Sequence, residues 1–436
     1  MRLVVHGGSP VDGTVAIRGA KNALPKVMVA AMLTEDTCTV SNVSWIRDTQ
    51  VISEVIEAYG GHSMRTPSDD LELSAKGFEP VSAEVIGAFH ALSRVPILTA
   101  AVALHRSGSA WVAAPGGCSI GPRPVDFHLA VLRAFHVTVE RCGEVFRLTS
   151  PRGGLVGARV ELPYPSVGAT EQFLLAAVLA AGDSQLANGA IEPEVLDLIC
   201  VLQKMGALIS VSPSRRIEVT GVKSLRGFAH SVVPDRLEAA SWASLALATG
   251  GTVTTTGVRQ SDLATFLNMY RRAGGEFSID ASGSSITFWR ERGLLRPLAF
   301  ETDVHPGFMT DWQPPFVTAL TQADGVSVIH ETVYEDRLGY AAALRRLGAQ
   351  IQVFTECLGP TRCRFGQANH RHSAVVIGPA DLRGTDLEVP DLRAGFSYII
   401  AAAAAQGSSA IAGIELLERG YEGFLEKLGS VGVSFG

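Results

Sequence analysis

The sequence has no uninterrupted apolar run of about 20 residues, the length that a membrane-crossing helix requires. Its opening stretch, Met1 to Pro10, lacks the basic-then-apolar order of a secretion signal, so a cytoplasmic protein is expected. Charge is scarce as well: 18% of positions carry it, with a formal balance of -6 and a pI near 6.0. A general nucleic-acid binder needs a surplus of Lys and Arg against phosphates, so nucleic acid is excluded as a partner and any anionic ligand must be met by local clusters. Neither a GxSxG elbow, a GxxxxGK phosphate loop nor a GxGxxG dinucleotide turn occurs, which removes the common hydrolase, nucleotide-hydrolase and dehydrogenase readings. Six cysteines are present (Cys38, Cys118, Cys142, Cys200, Cys357 and Cys363), with no CxxC pair, in a chain too long to need disulfide staples. Five read as plain buried thiols, and Cys118 stands apart by its setting. The pair Cys357 and Cys363 with the nearby His370-Arg371-His372 lacks the spacing of a zinc motif and reads as an ordinary exposed turn, so no metal is expected.

What is present is 436 residues, 47% of them apolar, enough for two ordinary cores and therefore for two domains. One signal recurs: an amphipathic helical stretch, a small or Gly residue, then a short alternating strand. It begins at Val51, Phe127, Leu196, Thr265, Tyr340 and Phe424, with turns near residues 60, 136, 206, 274, 348 and 432. Gly after a helix takes the left-handed conformation without a Cβ penalty and lets the chain turn directly into a strand. Between these units lie further β-type runs: GTVAI, TCTVSNV, SAWVAA, SQLANGAI, GTVTTTGV and GVSVIHE. The expectation is an α/β protein of six repeated units, three in each half.

Three parts of the chain are costly for a fold and useful for a site. Arg18 to Pro25 delivers Lys21 and Asn22 just before an apolar helix, where a bound anion would offset the unfavourable meeting of a cation with the helix dipole. Ala114 to His128 packs glycines and prolines around Cys118 and Arg123; a guanidinium near a thiol favours the thiolate, so this Cys is a candidate proton donor, nucleophile or redox-sensitive group. The scattered segments around Asp311, Arg393 and Arg419 place charged residues beside Gly, Pro or strand ends, where repeated units can converge on a cleft.

Eight motifs then occur in order: GAKNALP from Gly19, GGCSIGPRPVDFH from Gly116, PYPSVGATEQ from Pro163, PDRLEAASWAS from Pro234, HPGFMTDWQ from His305, HETVYEDR from His330, PDLRAGFS from Pro390 and ERGYE from Glu418. Together they resemble the UDP-N-acetylglucosamine enolpyruvyl transferases, relatives of 5-enolpyruvylshikimate-3-phosphate synthase, over essentially the whole chain. The resemblance implies a two-domain inside-out α/β barrel, helices within and sheets outside, with residues 21–233 as one domain carrying the Cys loop. Residues 1–20 and 234–436 would form the other. It also implies that the enolpyruvyl group of phosphoenolpyruvate passes to the 3'-hydroxyl of UDP-N-acetylglucosamine, with release of phosphate, in the first committed step of peptidoglycan precursor synthesis.

By the same resemblance Lys21, Arg94, Arg123, Arg393 and Arg419 would bind phosphoenolpyruvate, whose two anionic groups suit forked guanidinium contacts. Cys118 would be the acid and Asp311 the base, with Lys21 and Arg419 also catalytic. The uridine nucleotide would meet Asn22, Arg123, Pro124, Val125, Asp126, Phe127, Ser166, Val167, Gly168 and Asp311. No cofactor is implied, and small molecules are the only partners. Three positions depart from the family pattern: Arg47 and Tyr164 stand where Lys is usual, and Asp336 where Asn is usual. A Lys lost near the pyrophosphate weakens one contact and keeps a second acceptor open, the 3'-hydroxyl of uridine monophosphate, as in homologues of nucleoside-antibiotic pathways.

Overall fold

The computed structural model describes residues 2–113, 125–291, 293, 295–361, 363–390 and 392–436, the side chains of residues 392 and 393 excepted. All six expected junctions are helix, left-handed residue, strand. The left-handed positions are Gly60, His136, Gly206, Gly274, Gly348 and Gly432. Only the second departs from the small-residue rule, since His136 takes φ 63° where Gly would be strain-free. The helices that end there are Arg47–Ala58, Asp126–Ala134, Pro193–Lys204, Ala264–Arg272, Ala341–Arg346 and Phe424–Ser430. Each feeds a strand at the edge of a different sheet.

Among the described residues six sheets result, and five share one pattern. In the sheet of Ala299–Glu301, Gly325–His330, Ser373–Gly378 and Gln350–Phe354, the first two strands are parallel and the remaining neighbours antiparallel. The sheet of Asp12–Ala16, Thr252–Thr256, Ser285–Arg290 and Gly275–Ile279 repeats this order. Ser109–Ala113, Val145–Thr149 and Thr138–Cys142 form a three-stranded, wholly antiparallel sheet among the described residues. The β-type runs from GTVAI to GVSVIHE each supply one strand.

The chain divides into two compact units, residues 2–18 with 234–436, and residues 19–113 with 125–233. The first crossing falls between Arg18 and Gly19, two residues earlier than expected, because Gly19 N donates to Asn42 O and Ala20 N to Val233 O. Each unit encloses its own apolar core.

In the 234–436 unit three helices, Arg236–Thr249, Gln313–Leu320 and Leu392–Ala404, pack on one another. A helix that is apolar on every side belongs at a centre, and the Arg236 helix buries all but its last residue. Trp242 meets Phe396 edge-on at 4.8 Å within this bundle. In the other unit Thr99–Ser107 packs against both Leu24–Ala31 and Val167–Ala177, and the Val167 helix buries Ala169 to Ala177 without a break. The junction helices keep one polar face each and cover these central ones, so helices lie within and sheets outside.

Candidate functional site

The residues assigned to substrate divide between the two units. In the 19–233 unit, Ser166 caps the Val167–Ala177 helix, its Oγ accepting from Ala169 N at 3.4 Å. That first turn carries no acidic residue, so nothing on the helix itself neutralises the positive end of its dipole. Val125 precedes the helix Asp126–Ala134, which packs against the Val167 helix. His128 joins the two: its Nδ1 lies 3.3 Å from Gln172 Oε1, and a Cβ on Gly168 would stand 3.0 Å from its Nε2. A larger residue at this position would force the His128 ring to give way by a few tenths of an ångström. Burial, and then the positive charge of Arg94 and of His90, push the His128 imidazole down to about 4 against the pull of Gln172. His128 is therefore neutral near pH 7, and Arg94 is close enough to be felt. Val125 to Phe127, Ser166 to Gly168 and Arg94 thus share one corner.

Lys21 is buried, 9% exposed, in the turn before the Leu24 helix. That helix and the Val167 helix both pack against the short 3-10 turn Val95–Leu98 that follows Arg94. Lys26 donates to Asn22 O at 2.6 Å and lies 4.0 Å from Glu171 Oε1. Burial pushes the Glu171 carboxyl up to about 7, with Lys26 opposing and Glu194 and Glu192 adding to the rise. Neither Lys26 nor Glu171 stands out in the sequence, although both lie inside or beside the quoted motifs.

In the 234–436 unit, Asp311 precedes the helix Gln313–Leu320 and keeps 12% of its side chain exposed. The buried Arg337 donates from Nη2 to its Oδ1 at 2.6 Å. Beneath them Glu331 accepts from Thr310 Oγ1 at 2.9 Å, from Gln313 Nε2 at 3.4 Å, and from Val333 N and Tyr334 N at 2.9 Å each. Burial raises the Glu331 carboxyl, and the Arg337 charge opposes it. Arg337 and Glu331, both within the motif HETVYEDR, are thus the charged neighbours of Asp311 in this structure, and neither is singled out by its sequence. Arg419 is half-buried in the turn between Ile414–Leu416 and Phe424–Ser430. The Leu392–Ala404 helix, which carries the Arg393 backbone, packs against both Ile414–Leu416 and Arg337–Tyr340. The Arg393 side chain lies outside the described residues, as do Cys118, Arg123 and Pro124 entirely.

Several expectations require correction. Cys142 and Cys200 are exposed, because the first ends an edge strand and the second sits on the outer face of the Pro193 helix. Cys38 is buried, and burial pushes its thiol up to about 11. His372 does not lie in an exposed turn: it is fully buried beside Cys357, 3.4 Å from Nε2 to Sγ. Among the departures from the family pattern, Arg47 forms an exposed pair with Glu54 at 3.0 Å, and Asp336 accepts from Arg371 N at 3.1 Å. Tyr164 O accepts from Ser166 N at 2.7 Å.

Residues 5–428 match the family described as EPSP synthase (3-phosphoshikimate 1-carboxyvinyltransferase). A UDP-N-acetylglucosamine 1-carboxyvinyltransferase of Protochlamydia amoebophila is 41% identical over 437 residues, covering 99% of this chain and 93% of the relative. The enzyme of the same name from Acidiphilium cryptum is 38% identical over 431 residues, covering 99% and 98%. Among solved structures, the enolpyruvyl transferase NikO from Streptomyces tendae superposes with a TM-score of 0.86 at 23% identity, covering 100% and 98%. An EPSP synthase from Acinetobacter baumannii follows with 0.72 at 18%, covering 100% and 99%. At these identities the two structures establish the fold alone. No described helix is long and apolar enough to cross a membrane.

Proposed function

Since the chain belongs to the EPSP synthase family, we propose that it transfers the enolpyruvyl group of phosphoenolpyruvate to the 3'-hydroxyl of UDP-N-acetylglucosamine, releasing phosphate. The observation that carries this reading is identity of 37 to 41% with UDP-N-acetylglucosamine 1-carboxyvinyltransferases over nearly the full length of both chains. A role at the entrance to peptidoglycan synthesis, in the cytoplasm, follows from that acceptor. Three features of the site support it.

First, the transfer removes a proton from the acceptor hydroxyl as it adds to C2 of the enol, while C3 gains one; the tetrahedral ketal then expels phosphate from C2 as C3 gives a proton back, which restores the double bond. A base and an acid are required. Asp311 is the base in this reading, and Arg337 fixes its carboxylate from behind, so that its geometry is set before substrate arrives. Cys118 is the acid. Second, phosphoenolpyruvate brings a carboxylate and a phosphate, matched by Lys21, Arg94, Arg123, Arg393 and Arg419, whose cationic groups also stabilise charge that develops on the departing phosphate. Third, the corner made by Val125 to Phe127 and Ser166 to Gly168 offers the uncompensated start of the Val167 helix to the nucleotide's pyrophosphate. Neutral His128 packs there without adding a charge of its own.

The test is phosphate release from phosphoenolpyruvate with UDP-N-acetylglucosamine and, separately, with uridine monophosphate, with each product weighed by mass spectrometry. The expected result is phosphate and an enolpyruvyl adduct of the UDP-sugar. Turnover confined to the monophosphate would overturn the acceptor, and silence with both would overturn the activity.

A further inference from the structure

Two histidines and two cysteines meet at one end of the sheet that carries Gly325–His330. Their ligand atoms, one each from His330, Cys357, Cys363 and His372, all lie within 4.8 Å of one another. The sheet's register brings them together from distant parts of the sequence: His330 ends its strand opposite Ser373, Ser373 also faces Phe354, and Glu301 pairs with His330 from the other side. The two cysteines lie on the connection between Phe354 and Ser373, far longer than the usual hairpin loop of about 2 to 5 residues. Such a connection needs something to hold it.

The hydrogen bonds decide which atoms face inward. His330 Nδ1 lies 2.9 Å from Glu301 Oε1, and His372 Nδ1 lies 2.7 Å from His370 O. Both partners are acceptors, so each Nδ1 carries the proton and each Nε2 presents a lone pair. His330 Nε2 is buried without a hydrogen-bond partner, on a residue with no exposed surface. A buried acceptor without a partner is unfavourable, because it has given up its hydrogen bonds to water and gained none in return. A thiol proton from Cys357 can satisfy His372 Nε2 at 3.4 Å, but His330 Nε2 is left over. A single cation at the centre satisfies both imidazoles and both sulfurs.

Distances and surroundings agree. Zn–S bonds of about 2.3 Å and Zn–N bonds of about 2.0 Å place tetrahedral ligands roughly 3.3 to 3.8 Å apart. The Cys357 and Cys363 sulfurs are 3.7 Å apart, and Cys357 Sγ is 3.4 Å from His372 Nε2. The outer partners are those that metal-bound groups usually have: a carboxylate behind one imidazole, a carbonyl behind the other, and the amide of Phe365 directed at the Cys363 thiol. The Glu301 carboxylate also accepts from Thr361 N at 3.0 Å, and a Cβ on Gly359 would overlap Glu301 and His330 Nδ1. The buried Phe365 ring covers His372 at 5.9 Å.

We propose that His330, Cys357, Cys363 and His372 form a structural zinc site that staples the 355–372 connection to its sheet. Two thiolates and two imidazoles in a tetrahedron suit Zn(II), and four protein ligands leave no open position for catalysis. The staple reaches the reaction indirectly. Glu331 follows His330 directly, and Asp336, next to Arg337, accepts from Arg371 N in the same connection. The site stands whichever acceptor the enzyme uses.

Protein without a histidine tag, purified without chelator, should contain about one zinc per chain by inductively coupled plasma mass spectrometry. A Cys357→Ser/Cys363→Ser variant should lose at least about tenfold of it, the order expected when ligands are removed. Cys142→Ser, an exposed thiol of another sheet, should keep it. Should the double variant not fold, cobalt(II) added to zinc-stripped wild-type protein should give the visible bands of a tetrahedral thiolate site, abolished by zinc. Equal zinc in the double variant, no thiolate-to-cobalt bands, or a Cys357–Cys363 disulfide in freshly purified protein would each overturn the assignment.

Discussion

At the scale of single residues, two buried charges govern what the protein can do. Arg337 lies 3% exposed between Asp311 and Glu331, and it is the counter-charge that both carboxyls feel. Removing one partner of a buried ion pair leaves the other uncompensated and costs about 3 to 5 kcal/mol. Arg337→Met should lower the denaturation midpoint accordingly. It should also cut kcat by about 10- to 100-fold through a misplaced Asp311, while the KM for the nucleotide changes little. Equal losses in kcat and nucleotide affinity would place Arg337 in binding instead. Glu171 supplies the pH dependence. Its carboxyl stands at about 7 in the folded chain against an ordinary 4.5, so the folded state holds the proton more tightly than the unfolded one. Stability from this group is therefore fully present below about pH 4.5 and is lost as pH rises to about 7. Glu171→Gln should gain on the wild type across that window, by about 1 to 3 kcal/mol at pH 8 relative to pH 4.5, read from paired denaturant melts. A constant difference between the two proteins would show that Lys26 already compensates the charge in full.

At the scale of elements, the sequence is legible where local chemistry decides the outcome. The junctions at Gly60, Gly206, Gly274, Gly348 and Gly432 are visible because a residue without Cβ after an amphipathic run has few other uses, and each is left-handed. His136 shows the limit: the junction there is left-handed with a residue that carries a Cβ, so a search for Gly alone would miss it. The same locality explains the site. GAKNALP and SVGATEQ each sit at the start of a helix, the first opened by Pro25 in its first turn and the second capped by Ser166, so their placement follows from local chemistry. Asp235 illustrates this, accepting from both Leu237 N and Glu238 N ahead of the Arg236 helix. What spacing along the chain does not reveal is side-chain company across strands. His330 stands next to His372 because of an antiparallel register fixed by two whole strands, and Arg337 meets Asp311 although a helix and a strand separate them along the chain. A metal motif is recognised in sequence only when its ligands come from adjacent loops with fixed gaps. Here one ligand comes from the end of a strand that precedes the cysteines by a full helix and a further strand, so Cys357 and Cys363 looked incidental.

At the scale of the whole molecule, the chain owns two apolar cores that share no residue, one drawn from 3–17 and 237–433 and the other from 20–233. A unit with its own core is able to unfold as a unit, and among the described residues the backbone crosses between these two near residues 18 and 233. Differential scanning calorimetry should accordingly resolve two transitions. The residue-scale variants identify them: Arg337→Met, in the 234–436 unit, should lower one transition and leave the other in place, and Glu171→Gln should move the other upward at pH 8 without touching the first. The size of the first shift follows from the entropy of melting, since 1 kcal/mol corresponds to about 2 to 4 °C for a unit of roughly 200 residues. A loss of 3 kcal/mol at Arg337 thus predicts a drop of about 6 to 12 °C in one peak. If instead both variants displace a single peak, the two cores melt as one cooperative system, and a substitution in either would be felt by the catalytic groups of both.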